Sequence, residues 1–462
     1  MKAHFSILLL VSATLATQTA TGQSSQQKTG QERAKTDSLT KLNYQQVLQR
    51  LAIKLPTLPP QAEDPNRPKN AIVKGKGVGY NDDQGRNISR SAWGAWINYD
   101  EVRANDYVLP DPLILKGGKA VTSAKIWWTQ RRPEIVTDYE SEVFGRIPKN
   151  TPSVSFDVTE TDTTALASKA IKKTIIGRID NAAYPKASPV INITMYRPKN
   201  AKGQVPLVVI ISSSAKGNNQ TIELLNQTGW AVAIFDTNSL QADNGAGLNL
   251  GIIGLVNKGQ FRKPDDWGVL RAWSWGLSKA LDYFQKDKSI NPKKIGIQGH
   301  SRWGKTALLA AAMDTRWAAV FASCSGSGGA SLEKRNFGEN LDVIAGESEY
   351  HWMAPNFVKY GGNWESFPVD AHQMIALIAP RPLFITGGTQ DIWADPVGEF
   401  KACVAASPVY KLLGKTGITT TQFPAPDVSL IDGELAFRFH EGGHTDSMDW
   451  PIFISFAKKY FN

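Results

Sequence analysis

The stretch Ile295-Gly296-Ile297-Gln298-Gly299-His300-Ser301-Arg302-Trp303-Gly304-Lys305 constrains this chain more than any other. An apolar run reads as a buried strand, a sharp turn follows, and Thr306 to Met313 continue in strong helix formers. Small residues flank the serine, as a tight strand-to-helix turn with close backbone approach requires. Such a turn lifts a hydroxyl above the sheet edge at a helix N-terminus. There a backbone N–H and the helix dipole favour a developing negative oxygen. The usual spacing is G-x-S-x-G; here the second glycine comes one place late, so Arg302 and Trp303 occupy the turn.

The sequence around this turn reads as repeated strand and helix. Ser153 to Glu160 and Ile191 to Tyr196 alternate as strands and predict an antiparallel start to a sheet. Short apolar runs at 207–212, 230–235, 318–323, 381–386 and 437–440 predict further strands. Helical spacing predicts helices over 267–284, 371–378, 397–405 and 450–460. The alternation argues for a mostly parallel sheet covered by helices on both faces, with ligands beyond the carboxyl ends of its strands.

A serine hydroxyl needs a base, and the base needs an orienting acid. Four histidines follow Ser301: His351, His372, His440 and His444. His372 sits inside a helical pattern, His351 stands beside Trp352 in a loop, and His440 ends a strand. His444 lies in Glu441-Gly442-Gly443-His444-Thr445-Asp446, between the last strand and the last helix, and is the expected base. Asp391 holds the usual place of the acid, in the loop after the strand at 381–386. Asp395 competes with it, or caps the following helix.

The 462 residues suffice for one large α/β domain with additions. Met1 to Gly22 has the charged start, apolar core and small-residue end of a secretory signal peptide, too short to span a bilayer. Residues 23–75 read as a flexible extension: a polar run to about 40 expected to be disordered, a short helix over 43–55, then a proline-rich extended segment. Residues 76–462 read as a single catalytic domain. Secretion or a periplasmic location is therefore expected. The two cysteines, Cys324 and Cys403, either pair or remain buried thiols. No metal-ligand cluster stands out, and neither metal nor cofactor is expected. The formal net charge of +10 suits acidic polymers, but the cations are scattered and no nucleic-acid motif is present. Neither nucleic acid nor membrane is an expected partner, and a monomer is expected.

Beyond these local readings, the chain resembles the bacterial glucuronoyl esterases of carbohydrate esterase family 15. The resemblance rests on Trp127-Trp128 through Arg131-Arg132-Pro133-Glu134, Gly145-Arg146-Ile147-Pro148, and the turn Gly299 to Lys305. It continues through Ser325-Gly326-Ser327-Gly328-Gly329, Arg335-Asn336-Phe337-Gly338-Glu339-Asn340 and His351-Trp352. Trp393-Ala394-Asp395-Pro396 and Gly442-Gly443-His444 complete it. It implies an α/β-hydrolase fold, a mostly parallel sheet in a three-layer αβα sandwich. It also implies hydrolysis of esters between 4-O-methyl-glucuronic acid of glucuronoxylan and lignin or other alcohols. Ser301 would match the nucleophile and His444 the base. Arg302 would help form the oxyanion hole, and Lys305 would bond sugar hydroxyls. Glu339 and Glu347 are similar to the family's polar sugar-binding residues, and Trp393 to the tryptophan over the uronate. Trp352 would complete an aromatic platform, since ring faces stack on sugars. Two positions depart from the pattern. Cys324 stands where many members carry a glutamate, which supports Asp391 as the acid. His440 stands where arginine is common. Two other readings stay open: an acetyl-xylan or other carbohydrate esterase on the same fold, and a non-catalytic polysaccharide-binding relative.

Overall fold

The computed structural model describes residues 30–73, 79–104 and 107–461. The expected signal peptide, residues 1–22, lies outside them. Helix α1 covers residues 30–50, earlier and longer than the helix expected at 43–55. Residues 30–40, polar enough to read as disordered, belong to it. Tyr44 and Val47 give the reason: both are buried, and Tyr350 Oη donates to Asn43 Oδ1 at 2.9 Å. Tertiary packing stabilises a helix that its own composition leaves marginal.

Ten strands form the main sheet. They are β1 (Val154–Asp162), β2 (Ala170–Ile179), β3 (Val190–Pro198), β4 (Val205–Ser212), β5 (Ala231–Asp236), β6 (Ile290–His300), β7 (Ala319–Ser323), β8 (Leu383–Gly388), β9 (Ser429–Leu430) and β10 (Leu435–His440). Their spatial order is β9-β10-β8-β7-β6-β4-β5-β3-β2-β1. The run from β10 to β5 is parallel throughout. β9 at one edge and β3, β2 and β1 at the other are antiparallel to their neighbours. β2 is absent from the sequence reading, because Lys172-Lys173 break its apolar pattern.

Helices α2 (Asn219–Gln227), α3 (Val269–Phe284), α4 (Arg302–Met313), α5 (Ala371–Ile378), α6 (Pro396–Leu412) and α7 (Trp450–Phe461) cover the sheet. Consecutive strand residues point to opposite faces, and two cores result. Leu207, Val209, Ile295, Ile297, Leu383 and Ile385 pack with α3, α4, α5 and α6. Val208, Phe321, Phe384 and Ala436 pack with α2 and α7, where Trp450, Phe453 and Phe456 supply the bulk. The result is the three-layer αβα sandwich with a mostly parallel sheet, and every parallel strand delivers its carboxyl end to one rim. Cys324 and Cys403 do not pair; both are buried free thiols.

Candidate active site

The rim assembles from the sheet register. The last residue of β6, His300, pairs with Ser323 at the end of β7, and Gly388 of β8 pairs with His440 of β10. Ser301 follows β6 with φ +60° and ψ −131°, a backbone strained for a residue with a side chain. Its N–H donates to the Ser323 carbonyl at 2.8 Å, and its own carbonyl accepts from Gly304 N at 2.8 Å. A Cβ at Gly299 would collide with the Trp303 carbonyl, and one at Gly304 would press on Ser325 and Ser323. Gly299 is therefore required, and Gly304, displaced by one place, sits where a side chain would be tightly crowded.

Two loops bring an acid to a histidine. Gln390 N donates to the Gly442 carbonyl at 2.8 Å, Thr389 N to the His440 carbonyl at 3.0 Å, and Gly442 N to Thr389 Oγ1 at 3.0 Å. Gln298 Nε2 ties the second loop to β6 through Asp446 at 2.7 Å. Asp391 and His444 consequently meet, with Nδ1 and Oδ2 2.7 Å apart. Asp391 is buried, whereas the His444 side chain is 43 % exposed. The His300 ring rests against His444 at 4.3 Å between centroids. Burial, then the charge of His444, lowers His300 to about 4, so it packs as a neutral ring.

The competing residues are occupied elsewhere. Asp395 accepts from Arg335 Nε at 2.9 Å and from Ser331 Oγ at 3.1 Å, and caps α6 through Gly398 N at 3.0 Å. His440 is wholly buried between Asp449, at 2.9 Å, and the Gly443 carbonyl. His372 contacts the Pro110 carbonyl, and His351 contacts Asp243.

On the other side of Ser301 lies a network of charges. Arg302 Nη1 donates to Asp243 Oδ2 at 2.7 Å, and the guanidinium lies 5.1 Å over the Trp352 ring. Asp243 Oδ1 also meets His351 Nε2 at 3.0 Å and accepts from Trp352 Nε1 at 2.6 Å. Burial opposes the charge on Asp243, but the bond and charge of His351, with Arg302 and Trp352, overturn it and lower the carboxyl to about 2. Lys305 is buried and spends its three N–H donors on Ser325 O (2.7 Å), Ser327 O (2.6 Å) and Glu339 Oε2 (2.7 Å). The loop 325–329 presents N–H groups in the opposite sense. Ser325 N and Gly326 N donate to Glu399 Oε1, and Gly328 N donates to Glu333. Gly326 has φ +58°, and a side chain there would run into Glu339. Burial, partly offset by these bonds, raises Glu399 to about 8.

Several sequence-predicted residues have a different setting. Trp352 is only 3 % exposed and its indole N–H is taken by Asp243, so it supports Arg302 rather than offering an open platform. Trp393 is half-buried at the rim, and its carbonyl accepts from Glu339 N at 2.8 Å. Glu347 is exposed; the acid beside Glu339, Lys305 and Arg302 is Glu349, raised to about 8 by burial and then by the charge of Glu339. Asp243 is the principal residue missed. It lies in a Gly/Asn-rich excursion with no motif, and its partners are about 60 and 110 residues away. The Cys324 thiol reaches Ser323 Oγ at 3.6 Å and the Thr445 carbonyl at 3.9 Å; burial, then the charge of Asp391, raises it well above its ordinary value.

Comparison with known proteins gives one direction. Residues 182–414 match the family model described as glucuronyl esterase, fungi. The chain is 33 % identical over 404 residues to the carbohydrate esterase MZ0003 of an unknown prokaryotic organism, covering 78 % of this chain and 91 % of that one. It is 28 % identical over 323 residues to the 4-O-methyl-glucuronoyl methylesterase 1 of Wolfiporia cocos, covering 67 % and 73 %. Among solved structures, a CE15 glucuronoyl esterase from Teredinibacter turnerae superposes with a TM-score of 0.79 at 34 % identity, covering 92 % of this chain and all of that one.

Proposed function

Since the chain belongs to the glucuronoyl esterases of carbohydrate esterase family 15, with their α/β-hydrolase fold, we propose that it hydrolyses esters of 4-O-methyl-glucuronic acid on glucuronoxylan, with lignin or other alcohols as leaving groups. It is a carboxylic ester hydrolase. The observation that carries the mechanistic reading is the Asp391–His444 pair, 2.7 Å apart on the rim that also carries the strained Ser301 turn.

Asp391 accepts from Nδ1–H of His444 and leaves the lone pair of Nε2 free. Nε2 takes the proton of Ser301 as Oγ attacks the ester carbonyl, whose oxygen becomes negative. Arg302 and the backbone N–H groups at the start of α4 stabilise that oxygen. His444 returns the proton to the departing alcohol, and water cleaves the acyl-enzyme by the same steps in reverse. Glu339 with Trp393 binds the uronate, Glu349 taking the place first expected of Glu347. Lys305, expected to bond sugar hydroxyls, has its three donors taken and instead holds Glu339 and the loop 325–329 in place. The catalytic unit is residues 76–462, with α1 of the preceding extension packed on it and an export signal over 1–22. Among the described residues no helix is long and apolar enough to cross a membrane.

Hydrolysis of a methyl or benzyl glucuronate ester by wild type and by Ser301→Ala tests the reading, with an acetylated xylo-oligosaccharide in parallel. Wild type should cleave the uronate ester far faster than the acetate, and the variant should lose the activity. Equal rates in wild type and variant end the proposal; a preference for the acetate transfers it to an acetyl-xylan esterase.

A further inference from the structure

No metal-ligand spacing is visible in the sequence, yet folding creates a candidate site beside the acid–histidine pair. Cys324 Sγ, a carboxylate oxygen of Asp391 and a ring nitrogen of His444 all lie within 4.8 Å of one another. Three separate loops supply them, following β7, β8 and β10. Nothing else claims the sulfur strongly, since its hydrogen-bond contacts are at 3.6 and 3.9 Å. Cys324 and Asp391 are buried and the imidazole is half-exposed, so an ion would enter on the His444 side.

We propose that Cys324, Asp391 and His444 bind one thiophilic divalent cation, of the Zn2+ or Cd2+ type, and that the bound ion stops hydrolysis. A thiolate, an imidazole and a carboxylate form a donor set that such ions take tetrahedrally, with water completing the shell. Hard cations such as Ca2+ and Mg2+ prefer oxygen alone. On binding, the thiol proton leaves to solvent and the ion occupies Nδ1 of His444 in place of its proton, which moves to Nε2. An imidazole protonated at Nε2 is a donor there and cannot accept the proton of Ser301. Arg302, Glu339 and Trp393 are outside the ligand set, so substrate still binds while turnover fails. The inhibitory part rests on His444 acting as base through Nε2; the binding part does not.

The test titrates metal-free protein with Cd2+, following the ultraviolet charge-transfer band of a cadmium thiolate, bound cadmium by equilibrium dialysis, and hydrolysis of a methyl glucuronate ester. One equivalent should bring up the band and lower kcat together, with KM little changed, and a chelator should reverse both. Cys324→Ser should abolish the band and weaken binding on the order of 100-fold. His444→Ala, at a half-exposed position, should weaken Cd2+ binding comparably while keeping the thiol. Ser301→Ala should bind Cd2+ as wild type does. If that variant also hydrolysed ester normally, the reading of Ser301 would fail while the cation site stood. Unchanged Cd2+ affinity in both Cys324→Ser and His444→Ala overturns the proposal, because the ion then sits elsewhere.

Discussion

The two sides of Ser301 are built on opposite plans. On one side His444 is held by its 2.7 Å contact with Asp391 and by the His300 ring, with its side chain 43 % exposed. On the other, Arg302, Lys305, Asp243 and Glu339 are tied to one another, to backbone carbonyls and to the Trp352 ring. The difference fits the roles proposed for the two sides. A proton carrier needs one nitrogen held and the other unoccupied. Groups that stabilise charge work best when fixed beforehand, so that no reorganisation is needed as charge develops. Buried charges also require partners, since an unpaired one is far costlier than an unpaired hydroxyl.

The comparison can be broken at its most sensitive point first. Asp391→Asn, whose amide can donate to Nδ1 and so hold His444 in the tautomer protonated at Nε2, should lower kcat on glucuronate esters about 10⁴-fold with little change in stability. Asp395→Asn should instead lower the melting temperature and leave kcat nearly intact. The reverse outcome would make Asp395 the acid.

On the paired side, Lys305→Met should destabilise the fold by about 3 kcal/mol in urea unfolding, because Glu339 is left buried without a cation. The double variant Lys305→Met/Glu339→Gln should recover part of that loss. Additive losses would mean that the pair is not coupled.

Asp243→Asn should reduce kcat roughly 10- to 100-fold, chiefly through misplacement of Arg302, with a smaller effect on KM. An unchanged kcat would show that Trp352 alone holds the guanidinium.

A further effect, graded with pH, lies beneath the loop 325–329. Folded Glu399 keeps its proton to about 8, whereas an unfolded glutamate loses it near 4.3. Between those values the native state holds a proton that the unfolded state releases. Its contribution to stability therefore falls as pH rises, by up to about 1.4 kcal/mol per unit. Glu399→Gln does not titrate, so its melting temperature should gain on wild type between pH 5 and pH 8. A constant difference across that range would remove Glu399 as the cause.

Much of this architecture is legible in the sequence because it is local. The elbow announces itself through Gly299, Ser301 and Gly304, whose spacing answers to backbone collisions within a few residues. Helix α5 is expected and found over Ala371–Ile378, where Asp370 and Gln373 form a capping box. The short edge strand β9 and the charged strand β2 escape, since their pattern is set by neighbours in the sheet rather than by their own alternation. Helix α1 extends beyond its expected bounds for a related reason: its burial partner, Tyr350, is about 300 residues away.

By itself the sequence determined the order of eight of the ten main-sheet strands and of helices α3 to α7, the serine at the turn, and the two loops holding Asp391 and His444. Periodicity and turn chemistry act between near neighbours and can be read there. Only the tertiary structure decided that Asp391 rather than Asp395 meets His444, that Asp243 holds Arg302, that Glu349 faces Lys305 where Glu347 does not, and that Cys324 comes close to the acid and the imidazole. Those meetings depend on the register between strands far apart in the chain and on which loops share a rim. No local pattern carries that information.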